Sequence, residues 1–419
     1  MSGMRMFKKI KILKEFFSVR DFNSKEELLS YQKEQLKKRL LTHGTAFYPN
    51  SECLENFPII NKKIFMENFE TINTVGISKK EAFRVAFASE ESRDFSNKIG
   101  NISVGLSSGT SGNRGLFLVS EEESIRWAGY ILRRVLPKPW LQKHKIAFFL
   151  RANSNLYESV NSKLIEFSFY DLIYPIEKHI ESLNRTQPSI LIAPAQVLRL
   201  LALSKELDIS PIKIISVAEV LEEEDEEIIS KRFSQKVHQI YQCTEGFLAH
   251  TCSEGNLHLN EDRVYIEKEW IEKKSGRFSP IITDFFRSSQ PVIRYKLDDI
   301  LVENKEPCSC GSVFTRLKKI EGRCDDILKV RNRNNHEYLL FPDFIRRAII
   351  GASEKLEEYA VEHREDGLHI YLKPLVCQNE VERGLQSLYE KQGILPMKHF
   401  YYAYEAKDLT QKRRRVKQL

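Results

Sequence analysis

The 419-residue sequence contains no apolar stretch approaching the roughly 18 residues that a membrane-spanning helix needs. A secretory signal core is missing too, because lysines interrupt every apolar run of the amino-terminal M-S-G-M-R-M-F-K-K-I-K-I-L-K-E-F-F. These absences lead to an expectation of a cytoplasmic protein with no stable membrane insertion. A large excess of one charge sign is lacking as well. The formal net charge is +7, and much of that excess sits in the terminal K-R-R-R-V-K, so a general nucleic-acid surface is not expected. Cysteine is sparse. The chain has seven, an odd number, with Cys308 and Cys310 in a tight pair, which suits metal binding in a reducing compartment better than a disulfide framework. Internal repeats and low-complexity tracts are absent. No Gly-Lys-Ser/Thr follows the Gly/Ser-rich stretch near residue 110, which excludes a Walker A loop.

What is present is an ordinary globular composition, 42% hydrophobic and 11% aromatic, in a chain long enough for two or three domains. Phe7, Ile10, Leu13 and Phe17 recur at helical spacing among lysines. A helix packed on its own domain is the main expectation, with a membrane surface or a partner as the alternative. Residues 25–48 read as helical, with Leu28, Leu29, Tyr31, Leu36, Leu40 and Leu41 available to one buried face. Short apolar runs at 145–150, 189–193, 212–217 and 237–241 then alternate with helical stretches, the pattern of a largely parallel α/β sheet. Beyond about residue 256 the strand candidates shorten between Gly, Pro, Asp and Asn. The expectation is an α/β domain over 1–322 with a β-rich subdomain at about 250–322, followed by a small α+β domain over 323–419. In the small domain, 368–372 and 399–404 read as strands and 380–389 as a helix.

Residues 104–119, V-G-L-S-S-G-T-S-G-N-R-G-L-F-L-V, carry the first chemical signal. Ser107, Ser108, Thr110 and Ser111 supply hydroxyls that reach anionic oxygens, and Gly109, Gly112 and Gly115 allow close backbone approach. The apolar flanks read as two strands joined by a flexible turn, and on these residues alone a plain mobile hairpin is the favoured reading. Y-Q-C-T-E-G at 241–246 leaves an apolar run where ligands sit in open α/β sheets. Tyr241 can stack on a base, Thr244 can bond a phosphate and Glu245 can hold Mg²⁺, although Thr-Glu after a strand also serves as a simple helix cap. P-V-I-R-Y-K-L-D-D at 291–299 and K-I-E-G-R-C-D-D at 319–326 offer Asp299 for ribose hydroxyls and Arg323 for ribose or phosphate, or form two solvated surface turns.

Taken in order, these segments resemble the adenylate-forming enzyme superfamily, in particular its phenylacetate–CoA ligase and coenzyme F390 synthetase-like branch. S-S-G-T-S-G-N-R-G is similar to the family's phosphate loop, V-A-E-V-L at 217–221 to its adenine-side segment, Y-Q-C-T-E-G to its aromatic-x-x-Thr-Glu motif, and R-Y-K-L-D-D-I to R-Y-x-x-G-D-I. G-R-C-D-D resembles the hinge before the small domain, with Asp325 at the pivot. Y-Q-K-E-Q-L-K-K-R-L and F-P-I-I-N-K-K-I-F-M-E-N-F are similar to the branch's upstream helix and Pro-x-x-x-Lys region. The resemblance implies that Ser107, Ser108, Gly109, Thr110, Ser111 and Gly112 surround the ATP phosphates, that Ala218 and Glu219 lie along adenine, and that Tyr241 stacks on it. It also implies that Thr244 and Glu245 serve phosphate and Mg²⁺, and that Asp299 and Arg323 hold the ribose. The tail D-L-T-Q-K-R-R-R-V is similar to the terminal Gly-Lys-x-x-Arg-Val stretch, which makes Lys412 the catalytic lysine. Without the resemblance that tail reads as solvated.

The implied activity is MgATP-dependent conversion of a small carboxylic acid to acyl-AMP, then transfer to coenzyme A. Transfer to an amine or carrier protein, F390 synthetase-type adenylylation, and a non-catalytic binding protein of the same fold are the alternatives. A homodimer is a compatible assembly. Four positions depart from the family pattern: Gly115 stands where many relatives carry Lys, leaving Arg114 to compensate the charge, and Gln242, Asp298 and Gln411 replace glycines. Residues near 130–160, 193, 217 and 242–250 are expected to line the acid pocket. Independently, Cys252, His258, Cys308 and Cys310 form a Cys₃His set suited to closed, structural zinc, with Cys243 as an alternative ligand.

Overall fold

The computed structural model describes residues 2–107, 114–140, 142–150, 161–162, 164–406, 409 and 412–419, with side chains from Phe7 onward. It divides into two compact units, 1–297 with 303–319, and 298–302 with 320–419.

In the first unit, Ile165–Asp171, His144–Leu150, Ile190–Ala193, Lys213–Val217 and Val237–Cys243 lie side by side as parallel strands. Ile190–Ala193 is buried along its whole length, as a strand covered on both faces requires. Crossovers run through the helices Glu177–Thr186, Ala195–Leu203 and Glu223–Phe233. The parallel run stops at Cys243. The next strand, Gly246–Thr251, follows after two residues, and so short a connection can only return antiparallel. Leu257–Leu259 pairs with Gly246–Thr251 on one side and with the start of Arg316–Arg323 on the other, so the β-rich region continues the same sheet. Val264–Glu272 and Arg277–Asp284 form a further antiparallel pair.

The helix Glu121–Val135 opens with a capping box. The Ser120 hydroxyl accepts from the Glu123 amide, and the Glu123 carboxylate accepts from the Ser120 amide. Midway along it, a Cβ at Gly129 would lie 2.8 Å from the Ile12 carbonyl oxygen and 2.9 Å from the Phe16 nitrogen, so glycine lets the helix Ser2–Ser18 lie against it. That amino-terminal helix buries Ile12 and Phe16, whereas Phe7, Ile10, Leu13 and Phe17 are 51–65% exposed. It therefore packs on its own domain through a different face from the one its apolar spacing singled out.

In the second unit, the strands His399–Ala403, Gly367–Lys373, Glu358–Arg364 and Val416–Gln418 form a sheet in that order. Val361, Ile345, Ile370, Val381 and Leu385 from its strands and from the helices Pro342–Ile350 and Gln378–Gln392 share one core. This unit begins at Ile320 and includes Asp298–Val302, which the boundary read at residue 323 would place in the larger domain. The Cys324 amide donates to the Asp298 carbonyl at 2.6 Å, tying that strand segment to the turn after Arg323.

Candidate active site

The two strands that flank the Gly/Ser-rich stretch pair with each other. Ile102–Leu106 pairs antiparallel with Leu116–Ser120, Leu106 opposite Leu116. Its base is closed twice: the Ser107 amide donates to the Gly115 carbonyl at 2.7 Å, and the Gly115 amide donates to Ser107 Oγ at 2.7 Å. Ser108, Gly109, Thr110, Ser111 and Gly112 lie outside the described residues, as does 151–160 of the expected acid pocket. The reading of Arg114 as the compensating charge meets a structural obstacle. Its guanidinium forks onto the Glu90 carboxylate, with Nη1 at 2.6 Å from Oε2 and Nη2 on Oε1, while Nε donates to the Ser107 carbonyl at 3.3 Å. Bidentate pairing with a carboxylate already answers that charge.

A different cation reaches the loop base. Lys62 Nζ donates to Ser107 Oγ at 3.1 Å. Lys62 opens the helix Lys62–Glu67, whose start is capped by Asn61 through the Ile64 amide. The preceding Ile60 is tied to the sheet on both sides, its amide donating to the Arg294 carbonyl at 3.0 Å and its carbonyl accepting from the Lys296 amide at 2.7 Å.

Thr244 and Glu245 form the two-residue turn between Val237–Cys243 and Gly246–Thr251, Cys243 opposite Gly246. A strand follows rather than a helix, which removes the helix-cap reading of this motif. Thr244 Oγ1 donates to Glu245 Oε2 at 2.8 Å. Arg287, which the sequence reading passed over, braces the turn: Nη1 donates to the Thr244 carbonyl at 2.9 Å and Nη2 to the Leu118 carbonyl at 3.1 Å, while Gln290 accepts from the Leu118 amide. Behind Arg287 stands buried Glu123, accepting from the amides of Ser288 at 2.7 Å and Ser289 at 3.1 Å and from the Ser289 hydroxyl. Burial pushes its carboxyl upward, but the Arg287 charge and these hydrogen bonds outweigh burial and hold the group below the ordinary range. S-E-E-E at 120–123 carries the capping-box spacing, so this residue had a local signal. Arg287 had none.

Lys62, Met66, Gly115, Thr244, Glu245 and Arg287 all line one recess, so the loop base and the Thr-Glu turn face the same space. Nearby, Tyr241 is in the last parallel strand with 8% of its surface exposed. Ala218 follows Val217 with φ 65°, a conformation that costs a non-glycine residue about 1 kcal/mol or more and bends the chain at the strand end. The Glu219 carboxylate accepts from the Gln196 amide at 3.2 Å, so its side chain secures the start of the helix Ala195–Leu203.

Asp299, Arg323, Asp325 and Lys412 belong to the second unit. Asp299 begins a strand alongside the Cys324 turn, where Cys324 Sγ donates to the Asp299 carbonyl at 3.9 Å. From Arg414 onward the tail is built in rather than loose. Val416–Gln418 pairs parallel with Glu358–Arg364, the Val361 amide donates to the Arg415 carbonyl at 2.7 Å, Arg415 lies over the Tyr359 ring at 4.7 Å, and Arg414 Nε donates to Asp326 at 3.2 Å. Lys412 sits half-buried two residues before that anchor.

The four candidate metal ligands converge in the first unit. Ligating atoms of Cys252, His258, Cys308 and Cys310 all lie within 4.8 Å of one another. Cys252 Sγ and Cys308 Sγ are 3.9 Å apart, and Cys310 Sγ lies 3.6 Å from His258 Nε2. Tetrahedral zinc with Zn–S near 2.3 Å needs sulfurs about 3.8 Å apart, so the spacing fits the ion and is far too long for a disulfide. His258 Nδ1 lies 3.1 Å from the Phe314 carbonyl, and an N–H donated there directs the Nε2 lone pair at the cluster. Partial burial and the neighbouring sulfurs push the Cys310 thiol up to about 12. Cys243 Sγ instead points to the Gly246 carbonyl at 3.6 Å.

No protein-family profile matches the chain. Protein CapK of Staphylococcus aureus is 26% identical over 217 residues, 50% of this chain and 46% of that protein. Phenylacetate-coenzyme A ligase of Thermus thermophilus is 26% identical over 87 residues, 21% of this chain and 18% of that protein. The chain thus matches less than half the length of either relative. Among solved structures, 2-hydroxyisobutyryl-CoA ligase in the postadenylation state with 2-HIB-AMP superposes with TM-score 0.66 at 14% identity, covering 93% of this chain and 88% of that one. ATP-bound MatB from Rhodopseudomonas palustris superposes with TM-score 0.54 at 14% identity over 74% and 65% of the two chains. No described helix is long and apolar enough to cross a membrane. The chain has the fold of the adenylate-forming enzymes, with acid–CoA ligases as its structural neighbours.

Proposed function

We propose that this protein is an ATP-dependent acid-activating ligase that makes an acyl-AMP and then transfers the acyl group to the thiol of coenzyme A. The observation that carries the reading is the recess in which the phosphate-loop base, Lys62, Thr244 and Glu245 come together at the end of the parallel strands, where open α/β sheets bind ligands. Ser107 and Thr244 would bond phosphate oxygens, and Glu245 would hold the Mg²⁺ that offsets their charge. Tyr241 and the bent backbone at Ala218 and Glu219 supply the adenine side, with Asp299 and Arg323 for ribose. Lys412 would place an ammonium where negative charge gathers on the acid carboxylate and the α-phosphate. Cys252, His258, Cys308 and Cys310 fill a tetrahedral shell, leaving no open position, so we assign them a structural zinc that clamps the antiparallel strands. The solved ligases described above, bound to ATP or an acyl-AMP, support the reaction class.

The test is acid-dependent exchange of pyrophosphate into ATP across a panel of small carboxylic acids, with and without coenzyme A. Exchange with at least one acid, with AMP release rising on addition of coenzyme A, is the expected result. AMP release indifferent to coenzyme A but stimulated by an amine would move the acceptor, and absence of both exchange and MgATP binding would remove the reading.

A further inference from the structure

Lys62 and Gly115 occupy one space. A Cβ added at Gly115 would lie 3.0 Å from Lys62 Cε and 3.4 Å from Ser107 Oγ. Gly115 is not among the residues with positive φ, so its backbone does not demand glycine. What a side chain there would meet is the arm of Lys62 on its way to Ser107. Arg114, the cation within the loop sequence, is directed onto Glu90.

We infer that Lys62 supplies the cation of the phosphate loop from outside the loop, and that Gly115 is small because the Lys62 arm passes over it. This rests on the ligase reading above. An ammonium carries three donors, so Lys62 can hold Ser107 and phosphate oxygens together. Its base is rigid: Ile60 is paired to the backbone at Arg294 and Lys296, Asn61 caps the helix, and Phe65 is buried edge-on against Tyr295 at 5.3 Å. The cation is therefore preset in the same recess as Thr244 and Glu245. A lysine at 115 would crowd the far end of the Lys62 arm, which would have to shift by a few tenths of an ångström, and would offer a like charge to the same recess.

The test is a double-mutant cycle with Lys62→Ala, Gly115→Lys and the pair, with Lys62→Gln as a length-preserving control. Calorimetry measures binding of MgATP and of inorganic tripolyphosphate, pyrophosphate exchange gives KM for ATP and for the acid, and tryptophan fluorescence checks folding. Loss of one charge-assisted contact corresponds to about ten- to hundredfold in affinity. Lys62→Ala and Lys62→Gln are expected to weaken both phosphate ligands by that factor with the acid KM unchanged. Gly115→Lys alone should also weaken them, and the double variant should recover most of the loss. Wild-type affinity in Lys62→Ala, or a double variant no better than the single ones, overturns the inference and leaves the ligase reading standing. A wild-type protein that binds tripolyphosphate through Lys62 but not MgATP removes the ligase reading alone, and one that binds neither removes both.

Discussion

Replacing Glu123 by alanine tests how the site is braced. The carboxylate is 7% exposed, accepts hydrogen bonds from the backbone amides of Ser120, Ser288 and Ser289 and from the Ser289 hydroxyl, and faces Arg287 at 3.8 Å. The alanine variant would strand a largely buried guanidinium and several buried donors at once. Breaking a buried charge pair from one side costs about 3–5 kcal/mol. With a urea slope of roughly 3 kcal/mol/M, the midpoint should fall by about 1 M or more. Tryptophan fluorescence reads this cleanly because Trp127, Trp140 and Trp270 all belong to the first unit. The pH dependence has a definite sign. Glu123 is held below its ordinary value of 4.5 in the folded protein, so its contribution is fully present above that value and is lost as pH falls through the lower folded value. The wild-type midpoint should therefore drop below about pH 4.5 more steeply than that of Glu123→Ala. Because Arg287 also holds the carbonyls of Thr244 and Leu118, the variant should raise KM for ATP even at urea-free neutral pH. A midpoint shift equivalent to under about 1 kcal/mol, or parallel acid limbs for the two proteins, would refute the bracing role.

Two further outcomes follow from the other constellations. Metal analysis of the purified protein should find one zinc per chain, and Cys310→Ser should lower zinc affinity by about a hundredfold or more and reduce the urea midpoint; unchanged stoichiometry would exclude these ligands. Lys412→Ala should lower acid-dependent pyrophosphate exchange by about 10²–10³-fold yet still form thioester from a supplied acyl-adenylate, and undiminished exchange would exclude that lysine.

The parallel sheet was legible because burial on both faces leaves continuous apolar runs, which any reader of residues 145–150, 189–193, 212–217 and 237–241 meets directly. The antiparallel turn at Cys243 was less so. Y-Q-C-T-E-G is compatible with a helix cap or a hairpin, and pairing between Cys243 and Gly246 decides for the hairpin. The amino-terminal helix was legible as a helix but not by face, since its apolar residues run around more than one side and only the gap at Gly129 selects Ile12 and Phe16 for burial.

By itself, the sequence of this protein determined what depends on neighbours along the chain: the parallel strands and their crossover helices, the two strands flanking residues 107–115, and the Cys-x-Cys pair whose chemistry called for two more ligands. Only the tertiary structure decided which distant cation reaches the Ser107 hydroxyl at the base of the loop. Arg114 is adjacent in sequence yet spends its charge on Glu90, whereas Lys62, 45 residues away, reaches Ser107 because Ile60 is fastened to the strand at Tyr295. Likewise Arg287 meets Glu123 across 164 positions of chain and braces Thr244. Local periodicity reports the type of an element; it does not report which distant charge its burial brings into contact, and this depends on how the finished elements pack.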